Sequence, residues 1–272
     1  MKEYVELFGG GTLSIGAMQS DFLSDPLLFN RLKVIEKYKT KIYLYSTTPL
    51  VSLAKYTDIE VIQILKLFDY LQISVEGYNQ DTYYNMSGIN GFRTLREQLI
   101  RIKRIIDQNS IPIKIELYFR VQDVFETINS EFFQMCKKMF TISDIKTDFF
   151  SWFGSIKEND IPVGAKLYKK DNTKNTEDCV VPHSSLSVQA TGNVVGCGCI
   201  DWLEQNIIGN CNEQSLDEIW HGEKNRSFQQ SFSKRNIPKI CKECGLYIEM
   251  KEAFSNSHLI SYESIKGVYY KQ

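Results

Sequence analysis

The chain has 272 residues, 24% of them charged, and a net charge of −1. It is long enough for one large domain, or a medium domain with a small appendage, and either buries a real core. The balanced charge argues against a nucleic-acid partner. No uncharged run reaches membrane-span length and the opening "MKEYVELFGGGTL" holds no signal-peptide run, so no membrane contact and a cytoplasmic location are expected.

In chain order, short β-rich runs alternate with longer amphipathic ones. Strands are predicted at 4–8, 42–46, 71–75, 113–119 and 148–153. Between them "PLLFNRLKVIEKYK", "DIEVIQILKLFDYL", "GFRTLREQLIRIKRIIDQ" and "SEFFQMCKKMF" repeat apolar residues at three- and four-residue intervals, as a helix face requires. This is the pattern of a parallel sheet with helical crossovers, a barrel or an open sheet, whose chemistry gathers at the carboxyl ends of the strands. There the sequence offers "FGGGT", "STTPL", "SVEGYNQDTYYNMSG" and Arg120, each of which also reads as ordinary turn chemistry. Arg120 suits a carboxylate partner or a surface ion pair.

From about Gly164 the character changes, which divides the chain into 1–163 and 164–272. A polar stretch, "YKKDNTKNTEDC", leads to "SLSVQATGNVVGC", read as a hairpin around Gly-Asn. A turn "IIGNC", a helix "SLDEIWHGEKNRSFQQSF" and the pair "CKEC" follow. So small a unit needs a staple.

Of seven cysteines, six lie in this second part. Cys136, alone on a helical segment, reads as a small core residue. In a reducing compartment the rest suit metal ligation better than disulfides. Cys241 and Cys244 form a Cys-x-x-Cys turn that needs two more donors, and Cys179 and Cys197, bracketing the hairpin, are the natural ones. Three readings stand: a redox pair, a four-thiolate zinc site and an iron-sulfur cluster. The cluster, which tolerates single ligands from separate strands, fits the spacing best.

"CVVPHSSLSVQATGNVVGC", "IIGNCNEQSLDEIW" and "IPKICKEC" together resemble the SPASM/Twitch extension of radical S-adenosylmethionine (SAM) enzymes. Gly192 and Cys197 fit its Gly-x4-Cys element, and Gly209, Asn210, Leu216, Ile219 and Trp220 its connecting piece. The resemblance implies one auxiliary [4Fe-4S] cluster held by Cys179, Cys197, Cys241 and Cys244, the shorter Twitch form. Cys199 is an alternative to Cys197, and Cys211 is read as packing.

The first part resembles the same family's partial α/β barrel. "VELFGGGTL" resembles the strand ending in Gly-Gly-Glu that holds the SAM amino group, so Gly9 and Gly10 are implied there. "LQISVEG" resembles the fourth strand, with Ser74 and Glu76 beside a ribose. The sequence departs from the family in three ways. It has no Cys-x3-Cys-x2-Cys triplet, Gly11 or Thr12 stands in the glutamate position, and "STT" replaces Thr-Asn-Gly.

Two functions follow from the resemblance: radical modification of a peptide or small metabolite, with the missing function supplied by further sequence or a protein partner, or a cluster-bearing accessory protein of peptide maturation or electron transfer. A structural zinc module on an inactive barrel is a third. His183, His221 and His258 read as surface or packing residues, and Trp152, Trp202 and Trp220 as core or interdomain anchors.

Overall fold

The computed structural model describes residues 1–16, 21–151, 156–168, 175, 178–197, 201, 203–242 and 244–255. The first predicted strand is instead a helix, α1 (Lys2–Phe8). Its aromatic residues recur at helical spacing, Tyr4 and Phe8 meeting with ring centroids 5.7 Å apart, and Gly9 ends it at φ 71°. The strand β1 (Gly11–Ser14) begins only after the glycines.

The winding then follows the predicted alternation. The order is α2 (Leu28–Glu36), β2 (Ile42–Thr48), α3 (Asp58–Leu67), β3 (Tyr70–Val75), α4 (Gln80–Ser87), α5 (Phe92–Asn109), β4 (Lys114–Arg120), α6 (Val124–Asn129), α7 (Glu131–Met139) and β5 (Thr141–Lys146). Helix α3 starts on a reciprocal capping box between Thr57 and Glu60, and α4 on one between Asn79 and Thr82. The five strands are parallel and lie side by side in chain order. A doubly wound sheet would reverse direction at a switch point; this order without reversal is that of a barrel segment.

Strand alternation divides the sheet into two unlike faces. Ile42, Leu44, Leu71, Ile73, Val75, Leu117 and Phe119 are buried in one cluster with Leu32 and Ile35 of α2, Ile64 and Leu65 of α3, and Leu95, Leu99 and Ile102 of α5. Each such side chain contributes about 1.5–3 kcal/mol, and truncating one, as in Leu99→Ala, costs about 2–5 kcal/mol. The opposite face carries Tyr43, Tyr45, Thr47, Gln72, Ser74, Tyr118 and Arg120, all half-buried. It is the polar, aromatic side that a barrel turns inward.

The fifth strand differs from expectation. Thr141–Lys146 joins the sheet, with a register irregularity opposite Leu117 and Tyr118, whereas β6 (Asp148–Phe149) pairs with β7 (Lys166–Leu167) in a separate two-stranded sheet. That pairing spans the boundary expected at 163/164.

A second core lies beyond it. Strands β8 (Ser187–Val188), β9 (Asn193–Val195) and β10 (Ile207–Asn210) form an antiparallel sheet of order β10-β9-β8. The hairpin was expected; β10 was expected as a turn. The predicted single helix is two, α8 (Leu216–Trp220) and α9 (Glu223–Ser233), interrupted at His221 and Gly222. A short α10 (Lys239–Lys242) carries Cys241. Val181, Val194, Ile208, Ile219, Phe228 and Phe232 fill this core.

Helix α1 ties the two parts together. Phe8 meets Trp220 edge-on with centroids 5.5 Å apart, and Glu3 Oε2 accepts the backbone N–H of Leu216 at 2.7 Å, near the start of α8.

Candidate metal centre

Three backbone devices bring distant cysteines to one place. The chain following the Cys-x-x-Cys turn returns beside Cys179: Val180 N donates to Ile248 O at 2.9 Å, Met250 N to Asp178 O at 2.7 Å, and Cys179 bridges Glu249 in antiparallel register. Cys197 follows the central strand β9, whose exit is held by Gly196 N donating to Asn206 O at 3.1 Å. Pro238 starts the turn that presents the last two: Cys241 N donates to Pro238 O at 2.9 Å and Cys244 N to Cys241 O at 3.2 Å. Cys179, Cys241 and Cys244 are 6–8% exposed within one cluster, and Cys197 packs against it.

Their electrostatics fit a cation-bearing group. Burial pushes the Cys241 thiol well above its ordinary range, and charge on Cys197, Cys244, Cys179 and Asp201 pushes it further. Thiols as buried as Cys179, Cys241 and Cys244, with Cys197 beside them, are stable as anions only around compensating positive charge. Leu246 N donates to Cys244 Sγ at 3.3 Å, a bond that favours the thiolate form. Among the described residues no three His, Cys, Asp or Glu side chains group tightly enough for a single metal ion.

A second polar region lies at the carboxyl end of the parallel sheet. Arg120, ending β4, stands 3.9 Å from Glu76, just past β3, and its guanidinium lies 5.1 Å from the Phe149 ring centroid. Burial raises the Glu76 carboxyl above its usual range against the opposing pull of Arg120. Burial together with Glu76 pushes Tyr83 up to about 12. Thr48, ending β2, donates to Asp21 Oδ1 at 2.8 Å. Among the described residues, Ser14 Oγ, Asp21 Oδ2 and Arg120 Nε are buried atoms without a hydrogen-bond partner, which gives this end of the sheet unmet polar capacity.

Gly9 and Gly10 are not part of it. A Cβ on Gly10 would lie 2.1 Å from the carbonyl oxygen of Lys41, the residue before β2, which places both glycines at the amino edge of the sheet. The structure therefore separates them from Ser74 and Glu76. The error lay in taking "VELF" as the strand. With β1 at Gly11–Ser14, its carboxyl end is Ser14, and the first acidic side chain after it is Asp21, which the sequence reading did not single out.

Residues 179–245 match the SPASM family, described as an iron-sulfur cluster-binding domain. That match spans about a quarter of the chain. A 74-residue stretch is 32% identical to the S-adenosyl-L-methionine-dependent 2-deoxy-scyllo-inosamine dehydrogenase of Niallia circulans; it covers 26% of this chain and 29% of that protein. The structure resembles that of BtrN in complex with AdoMet and 2-DOIA at a TM-score of 0.56 and 17% identity, covering 92% of this chain and 79% of the other. That likeness is one of fold, a five-stranded parallel sheet followed by a small antiparallel one.

The SPASM motif residues have structural duties. Gly192 makes the β8–β9 turn at φ 89°, and Asn210 Nδ2 donates to Asn193 Oδ1 at 2.9 Å across the sheet. Gly209 lies against Ile219, which leaves no room for a side chain. Cys211, expected to pack, is exposed, and its backbone N–H donates to Gly192 O at 2.8 Å. Cys136 is fully buried and its thiol is pushed up to about 12 by burial, which makes it inert. His221 is exposed beside Asp217, and burial lowers His183. Cys199, Trp152, Trp202 and His258 lie outside the described residues. No helix among the described residues is long and apolar enough to cross a membrane.

Proposed function

We propose that Cys179, Cys197, Cys241 and Cys244 hold one [4Fe-4S] cluster in the SPASM domain, and that the chain serves in redox modification of a small polar metabolite. The convergence of Cys179, Cys241 and Cys244, all buried, with half-buried Cys197 packed against them carries this reading. A tetrahedral zinc holds each sulfur about 2.3 Å from one centre, hence sulfurs about 3.8 Å apart. Charge on Cys179, Cys197 and Cys244 acting on Cys241 supports one shared cage, and the iron-sulfur description of the matching family favours the cluster over zinc. When bound, the cluster supplies one-electron acceptance and donation at low potential.

The chain's own residues would then do two things. The second core keeps water from the sulfurs. Ser74, Glu76 and Arg120 offer a polar ligand hydrogen bonds and a cation on the inward face of the sheet, for S-adenosylmethionine or for substrate. The similarity to a S-adenosyl-L-methionine-dependent dehydrogenase favours a metabolite over a peptide. Reductive SAM cleavage needs the three-cysteine site that these 272 residues do not contain, so a partner or further sequence provides it.

The test is an anaerobic reductive titration of the reconstituted chain. It should take up one electron per chain, and Cys241→Ser should take up none. Wild-type protein that accepts no electron contradicts the proposal.

A further inference from the structure

Asn175 is 4% exposed and lies 66 residues before Cys241. Its Nδ2 donates to three backbone carbonyls of the Cys-x-x-Cys turn: Cys241 O at 3.1 Å, Lys242 O at 3.3 Å and Cys244 O at 3.0 Å. Two N–H groups serve three acceptors, so one is shared. The turn needs such a donor because α10 has only four residues, and the carbonyls at a helix end have no partner in a following turn. Buried carbonyls left unpaired are costly.

These contacts orient the amide, and its Oδ1 is buried without a hydrogen-bond partner among the described residues. Its chemistry also suits its place. A lysine would add a cation beside the sulfur cage, and an aspartate would set a carboxylate against three carbonyl dipoles. A short neutral donor satisfies the turn without altering the charge around the thiolates. Holding Cys244 O fixes the peptide that leads to Leu246, whose N–H reaches Cys244 Sγ.

We propose that Asn175 is the positioning residue of the Cys241–Cys244 turn, locking both sulfurs toward the cluster, a role that rests on reading those cysteines as ligands. The experiment compares full-length wild type with Asn175→Ala and Asn175→Asp, the latter of equal size and kept for the case in which the alanine variant folds poorly. All are reconstituted anaerobically with iron and sulfide, and folding is checked by far-ultraviolet circular dichroism.

Both variants should load the cluster yet release iron to a chelator about tenfold faster, with a shifted electron paramagnetic resonance spectrum in the reduced state. Wild-type release rates and spectra in both would overturn the proposal. Should wild type itself take up no iron, the ligand reading fails, and deuterium exchange of metal-free protein decides Asn175 separately. Faster exchange across residues 239–248 in the variants upholds the positioning role, and unchanged exchange overturns it.

Discussion

Cys179 bridges Glu249 in antiparallel register, so the chain beyond the Cys-x-x-Cys turn is the segment that brings the first cysteine of the set beside the last two. Cys211, by contrast, is exposed, and Cys136 lies in the other core. Serine at Cys179, Cys197, Cys241 or Cys244 should therefore lower reconstituted iron by more than half, while Cys136→Ser and Cys211→Ser should retain the wild-type amount. Iron assay on the six single variants distinguishes the two groups. Equal loss at Cys211 would mean the set is wrongly drawn.

Gly209 is required by close approach. An added Cβ would meet Ile219 Cγ1 at 2.6 Å, where β10 packs on α8. Gly209→Ala should cost about 1–3 kcal/mol, a fall of a few degrees in Tm. In an Ile219→Ala background, which lacks both Cγ1 and Cγ2, Gly209→Ala should cost less than it does in the wild type. Thermal unfolding followed by circular dichroism checks both.

Glu76 gives a pH signature. Desolvation raises its carboxyl above the ordinary value of 4.5, and Arg120 only partly offsets this. An acid whose folded value is raised favours folding while protonated; that contribution is complete below the unfolded value and lost as pH climbs through the folded one. Glu76→Gln should thus be more stable than wild type at pH 7, with the difference vanishing below about pH 4. Urea midpoints at both pH values test it. A variant less stable at pH 7 would show that the Arg120 pair outweighs desolvation.

Where local pattern and tertiary demand agree, the sequence was readable. Ile42, Leu44, Leu71, Ile73, Leu117 and Phe119 alternate or run apolar because one sheet face is buried, and the strands holding them appeared where expected. Tyr4 to Phe8 misled because a five-residue stretch, apolar but for Glu6, serves a strand or a short helix equally, and the glycines after it, three in succession at positive φ, separate the two. Thr141–Lys146 was missed because its polar residues hide a sheet edge. The cysteine spacing was legible, since ligand geometry is written in the sequence as cysteine itself. Asn175 was not, because a side chain serving carbonyls 66 to 69 residues away leaves no local pattern.

The most direct measurement is elemental. Protein purified without oxygen should contain iron and acid-labile sulfide in equal amounts, about four of each per chain, with zinc far below one. One zinc per chain, or iron without sulfide, would contradict a four-thiolate cluster at Cys179, Cys197, Cys241 and Cys244.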